Sequence, residues 1–155
     1  MGDELEQRVA EELTLRGWTV NRWGQGVFTE PVRRALRRTD SPIRWTPDLV
    51  AVFLNSWVLI DCKGRMTSTT SKRHAIQRDA VKAHLQYVAW TYLPVYYVFD
   101  DLGVLSPHDV LTCGRVGPHT RVGSGAAYYL VPESLTRPFD AVFGTYGTPP
   151  LQATA

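Results

Sequence analysis

Positions 46 to 63 read TPDLVAVFLNSWVLIDCK. Two apolar, β-branched runs, 48–54 and 57–62, are separated only by Asn55-Ser56, which suits a tight turn, so the stretch should fold back on itself as a β-hairpin. Charge marks its ends: Asp48 opens the first run, and Asp61 and Lys63 close the second. Side chains alternate along a strand, so Asp61 and Lys63 share a face and Cys62 takes the other. With Asn55-Ser56 as a two-residue turn, Leu54 faces Trp57, Val50 faces Asp61 and Asp48 faces Lys63. Asp48 is then diagonal to Asp61 on one face, within side-chain reach. Convergent carboxylates repel unless a cation lies between them, and hard oxygen ligands suit Mg²⁺, which keeps several waters for a substrate phosphate. A protonated Lys63 cannot ligate such an ion, but it can orient a water nucleophile or stabilise charge gathering on a phosphorane-like transition state.

Outward from the hairpin, residues 3–16 place Leu5, Val9 and Leu13 at successive i, i+4 positions before Gly17, the pattern of an amphipathic helix with a glycine stop. WTVNRW at 18–23 reads as a strand, and Gly24 and Gly26 mark a loop, with no GxGxxG or Walker pattern. PVRRALRR at 31–38 predicts a short basic helix or a mobile arm. From Ser71 to about Trp90, Ile76, Ala80, Ala83, Tyr87 and Trp90 recur at helical spacing, widened by Val81, Leu85 and Val88, which predicts one well-buried helix. Strands are expected at 95–100, after Pro94, and at 128–131. The order helix, strand, hairpin, helix, strand implies a mixed sheet flanked by helices in one domain over 1–143. The Gly-, Thr-, Pro- and Ala-rich 144–155 is expected to be a flexible tail.

Of the 155 residues, 44% are hydrophobic and the aromatics include 5 Trp and 7 Tyr, which excludes disorder and a coiled coil. The apolar runs are far shorter than the roughly 18 residues of a membrane helix. MGDELEQR is acidic where a secretory leader is basic and then apolar, so the expected location is cytoplasmic. Cys62 and Cys113 form no CxxC knuckle, and His74, His84, His108 and His119 lack zinc-ligand spacing. No GxSxG nucleophile elbow is present. The aromatic residues are expected in the core. Residues 31–85 carry eleven Lys or Arg against Asp40, Asp48, Asp61 and Asp79, a net +7 within a chain whose total is +2. Such a block points to an anionic partner, nucleic acid first. Arg33, Arg34, Arg37 and Arg38 are expected to grip DNA phosphates, together with Arg65, Lys72 and Arg73, and His74 beside them could touch phosphate.

Thr46-Pro47-Asp48, twelve intervening residues and then Asp61-Cys62-Lys63 resembles the PD-(D/E)XK signature of metal-dependent nucleases. GDELEQRVAEELTLRGWTV, with a Glu four residues after a Gly, is similar to the opening of Holliday junction resolvases and related small endonucleases. The resemblance spans about residues 2 to 100 and departs from the commoner pattern where Asp61 replaces Glu, shortening one ligand arm. It implies an α/β, restriction-endonuclease-like fold with a central mixed β-sheet flanked by helices. It also implies a Mg²⁺-dependent DNA endonuclease, with Mn²⁺ substituting, that works as a homodimer on branched DNA. By residue, it implies Glu6 as the first-helix acid, Asp48 and Asp61 as metal-binding acids, the Cys62 backbone carbonyl as a further ligand and Lys63 as the catalytic lysine. The following helix often supplies another polar group, for which Gln77 is the candidate. Glu11 and Glu12 compete with Glu6. A restriction- or repair-type nuclease of the same fold is the alternative within the enzyme class. The alternative outside it is a nucleic-acid-binding protein without catalysis, against which the intact Asp48, Asp61 and Lys63 argue.

Overall fold

A computed structural model of the chain describes residues 2–117 and 127–146. Helix α1 (Gly2–Leu15) turns Leu5, Val9 and Leu13 inward, each almost fully buried. Gly17, at φ 93°, stops it, and the Trp18 amide returns a hydrogen bond to the Leu13 carbonyl. A left-handed backbone conformation at that position suits glycine.

Strand β1 (Thr19–Arg22) pairs antiparallel with β2 (Leu49–Phe53), and β2 pairs antiparallel with β3 (Ser56–Lys63). Between β1 and β2 lie a single turn at Gly24–Gly26, helix α2 (Glu30–Leu36) and a turn at Pro42–Trp45. β4 (Thr67–Ser68) and β5 (Arg73–Gln77) follow, then helix α3 (Arg78–Thr91), β6 (Val95–Phe99) and β7 (Val104–Leu105). The chain continues through α4 (Pro107–Cys113), β8 (Arg115–Val116), β9 (Tyr128–Pro132) and α5 (Phe139–Phe143). β6 runs parallel to β3, giving a five-stranded mixed sheet in the order β1-β2-β3-β6-β7. A second sheet, β4-β5-β9-β8, is antiparallel throughout.

The alternation along β3 fixes what lies on each side of the main sheet. Val58 and Ile60, with Cys62, pack into the α1 core beside Leu49, Ala51 and Phe143, whereas Leu59 packs with Tyr87 of α3 and Val95. The side carrying Leu59 also carries Asp61 and Lys63, and the Lys63 ammonium lies over the ring of Tyr97. Farther along that side, Tyr97, Phe99 and Leu105 meet Ile76, Val81, Val110 and Val131, which joins the second sheet to the first.

Several expectations are corrected. The hairpin closes through Leu54-Asn55, with Phe53 paired to Ser56 and Leu54 at φ 49°, so every pair is displaced from the expected register. The expected helix from Ser71 begins only at Arg78. Residues 73–77 form β5, where His74 and Ile76 are buried and their neighbours are more open, a period of two that the helical spacing of Ile76 and Ala80 concealed. Leu85 and Trp90 belong to the exposed side of α3, at 37% and 61% exposure. Residues 31–38 are largely helical, and Arg33 reaches back to donate a hydrogen bond to the Gln25 carbonyl. Trp57 and Tyr92 are exposed aromatics outside the core. At the start of the expected tail, Gly144 and Tyr146 are held against α1 by Arg16 and Glu12; residues 147–155 lie outside the described residues.

Candidate active site

Extending the ladder one step past Leu49↔Ile60 sets Asp48 across from Asp61, not across from Lys63 as expected. The convergence therefore survives the change of turn and becomes more direct. Asp48 is held by an Oδ2 that accepts the Cys62 amide hydrogen at 2.8 Å. Lys63 Nζ lies 2.6 Å from Asp61 Oδ2. That oxygen is buried and, among the described residues, has no hydrogen bond of good angle.

Burial pushes the Asp48 carboxyl well above the usual carboxylate range, and the neighbouring Asp61 and Glu6 charges push it further. Burial acts on Asp61 in the same direction, but the Lys63 ammonium, together with His84 and the Asp48 side chain, outweighs it and holds that carboxyl below the usual range. The pair thus favours one proton on Asp48 and a negative charge on Asp61.

The segment leading into Asp48 is pinned to α3. His84, fully buried, donates from Nε2 to the Trp45 carbonyl at 2.6 Å, so its Nδ1 accepts from the Tyr97 hydroxyl at 2.7 Å. Thr46 gives its hydroxyl hydrogen to the Ile43 carbonyl and therefore accepts from the Tyr87 hydroxyl at 2.8 Å. Two glycines support the segment from the other side. A Cβ on Gly24 would stand 2.0 Å from Thr46 Cγ2, and one on Gly26 would stand 2.4 Å from the Asp48 carbonyl oxygen. The residues read as a plain loop are thus a close-fitting backing for Asp48.

A cavity of about 400 Å³ opens over the aspartates. Asp48, Asp61 and Lys63 line it together with Gln77, which immediately precedes α3, with Arg33 of α2 and with Arg37 just past the end of α2. Gln25 and Arg44 line it too, and sequence reasoning missed both. Arg44 belonged to the noted basic block, but nothing local distinguished it, and Gln25 lay in a stretch read only for its glycines.

The other expected residues fall elsewhere. Glu6 is buried on α1, 3.3 Å from Arg22 Nη1, and reaches Asp48 through its charge. It does not join a ligand cluster with the aspartates: among the described residues, three His, Cys, Asp or Glu ligand atoms come within 4.8 Å of one another only at His74, Asp101 and Glu133. Glu11 is exposed and bonds Gln7, and Glu12 is engaged by Arg16. Cys62 turns its side chain to the α1 core, as expected. Arg34 and Arg38 are exposed on and just beyond α2, outside the cavity wall. Arg65 lines a separate recess with Glu4 and Asp100. Lys72 and Arg73 lie at the β4–β5 turn. His74, expected to touch phosphate, is fully buried and stacks on Phe99 with ring centroids 3.9 Å apart.

The donor set fits a small divalent cation. Two buried carboxylates face each other, one of them is driven toward protonation by burial and by its acidic neighbours, and the Asp61 oxygen beside Lys63 lacks a well-directed hydrogen bond.

No family model and no curated protein matches the sequence. Among solved structures the chain is similar to Hjc, a Holliday junction resolvase from the archaeal hyperthermophile Archaeoglobus fulgidus. The two are 14% identical over 94% of this chain and 97% of that one, with a TM-score of 0.57. It is also similar to D212, a nuclease from a fusselovirus, at 16% identity over 89% of this chain and 87% of that one, with a TM-score of 0.48. The likeness to Hjc shows the fold: a restriction-endonuclease-like α/β architecture, as the hairpin motif implied.

Proposed function

We propose that this chain is a Mg²⁺-dependent endonuclease that hydrolyses phosphodiester bonds of DNA. One observation carries the reading. Asp48 and Asp61 face each other across the β2–β3 hairpin beside Lys63, at the floor of a cavity walled by Arg33, Arg37 and Arg44. The shared fold with a resolvase is consistent with it.

Asp48, Asp61 and the Cys62 carbonyl would hold the ion, and Mn²⁺ should replace Mg²⁺. Bound there, it supplies Lewis acidity to a phosphate oxygen and lowers the pKa of water. Asp61 fixes the Lys63 ammonium, whose charge meets the negative charge that gathers on the phosphate. Gln77, with donors and an acceptor, would orient a water or a phosphate oxygen from the cavity wall. Glu6 adds negative charge behind the pair. Arg33 and Arg37 grip the backbone, with Arg34, Arg38, Arg65, Lys72 and Arg73 as outer phosphate contacts. With mostly backbone contacts, recognition is by shape, and branched DNA gripped by a homodimer is the preferred substrate.

Cleavage of labelled four-way junction and linear duplex in Mg²⁺ tests this reading. Asp48→Asn and Asp61→Asn should each lose about 10³-fold or more in rate, on the scale of a lost electrostatic contact to a transition state. Wild-type rates in both would remove the pair from the chemistry. Binding of a junction in Ca²⁺ should be at least about tenfold, or ~1.4 kcal/mol, tighter than binding of duplex, with a dimer in sedimentation. A monomer with equal affinities would leave the restriction- or repair-type alternative. No cleavage by wild type, with DNA still bound, would leave a binding protein.

A further inference from the structure

His74 sits at the junction of the two sheets, away from the aspartate pair. It is fully buried, its ring is stacked on Phe99, and its Nδ1 lies 2.6 Å from Thr67 Oγ1, its partner across the β4–β5 ladder. Nε2 is buried as well and, among the described residues, has no hydrogen-bond partner. It points at two carboxylates. Asp101 comes from the β6–β7 turn, and Glu133 follows β9 directly. One ligand atom from each of the three residues lies within 4.8 Å of the others.

The geometry leaves a gap to be filled. His74 Nε2 and Asp101 Oδ2 are 3.6 Å apart, too far for a good hydrogen bond. The separation is near the roughly 3.3–3.4 Å between two ligands of a tetrahedral ion bound at about 2.0–2.1 Å. Asp101 is anchored through its side chain and Glu133 through its backbone. Asp101 accepts the Gly103 amide hydrogen on Oδ1, which leaves Oδ2 for the gap, and the Glu133 amide donates to the Lys72 carbonyl. If the Nδ1 hydrogen goes to Thr67, Nε2 presents a bare lone pair to two carboxylates, an arrangement that repels itself unless a cation sits among the three. A hydrogen bond at the far nitrogen is also what orients a metal-binding imidazole.

We propose that His74, Asp101 and Glu133 form a second, structural site for a divalent transition-metal ion such as Zn²⁺. An imidazole with two carboxylates selects against Mg²⁺, which prefers oxygen ligands throughout. The ion neutralises the two carboxylates and leaves a fourth position for water on the open side, where Asp101 is 42% exposed. It ties β5 to the β6–β7 turn and to the end of β9. Because β5 ends in Gln77, the staple also steadies one wall of the catalytic cavity.

The test uses chelator-treated full-length protein carrying Asp48→Asn and Asp61→Asn, so that the aspartate pair cannot hold the added metal. Calorimetric titration with Zn²⁺ should give one ion per chain, should be insensitive to excess Mg²⁺, and should come with a rise in melting temperature. Adding Asp101→Asn and Glu133→Gln, at positions open enough to change without unfolding the chain, should weaken Zn²⁺ at least tenfold and abolish the thermal shift. Circular dichroism should be unchanged. Absence of Zn²⁺ binding in the first variant overturns the proposal. So does unchanged affinity in the second, which would assign the ion to other histidines. Neither result depends on whether the chain cleaves DNA.

Discussion

Arg16, at the C-terminal end of α1, is as buried as Asp48 and Asp61, all three being 7% exposed. Around Arg16 every charge is answered. Its guanidinium donates to Glu12, Asp140 and the Gly144 carbonyl and lies between the rings of Phe139 and Tyr146. Glu12 in turn accepts from the Tyr146 hydroxyl, which with Arg16 holds its carboxyl below the usual range. Around Asp48 the charges oppose one another: three carboxyls interact, and Lys63 serves chiefly Asp61. A cluster that only supports the fold can satisfy all its members, whereas one that receives a cation and a phosphate, as proposed for the aspartate pair, must leave part of its field unanswered.

Removing the central cation should break the satisfied cluster. Arg16→Met is expected to cost about 2 kcal/mol in urea unfolding, below the usual toll for a buried pair because Asp140 is 55% exposed. A loss near zero would mean that the contacts around Arg16 are incidental. The strained cluster should respond to a cation instead. Mg²⁺ at ten times its dissociation constant should stabilise the wild type by about 1.4 kcal/mol and leave Asp61→Asn unmoved, as read by thermal melts. Equal shifts in both proteins would place the ion elsewhere.

The smallest effect separates the clusters by sign. The Asp48 carboxyl titrates above its ordinary value of 3.8, so between those values the folded chain binds more protons than the unfolded one. Stability therefore falls as pH rises through that window. Asp48→Asn should remove the fall and leave the metal-free protein about 1 kcal/mol more stable at pH 7, with no gain below the ordinary carboxylate value. Unfolding curves at several pH values measure this, and a neutral-pH loss of stability would show that the Cys62 contact matters more than the repulsion.

The aspartate pair was legible because it is local. Two apolar runs and a polar interruption announce a hairpin, and charges at its ends mark a candidate site. Even the misplaced turn kept the two carboxylates on one face, because it displaced the register by two residues and not by one. β5 was not legible. Its partner β9 lies far along the chain, and His74 with Ile76 fits a strand only when that partner is known. The roles of His84 and Tyr87 were hidden for a related reason: both lie on the buried side of α3, where a sequence shows apolar spacing but not which hydroxyl or carbonyl waits opposite.

The pairing of β5 with β9 also sets an order in time. Asp48 and Asp61 meet as soon as a short loop closes, while β5, with only a two-residue ladder to neighbouring β4, must wait until residues 128–132 have been synthesised before its five-residue ladder to β9 can form. A growing chain should therefore hold its acidic pair together before Gln77 and the joint at His74 are locked in place. Pulse-labelled hydrogen exchange during refolding should find the β3 amides protected ahead of those in β5. Simultaneous protection would mean that the two sheets condense as one unit.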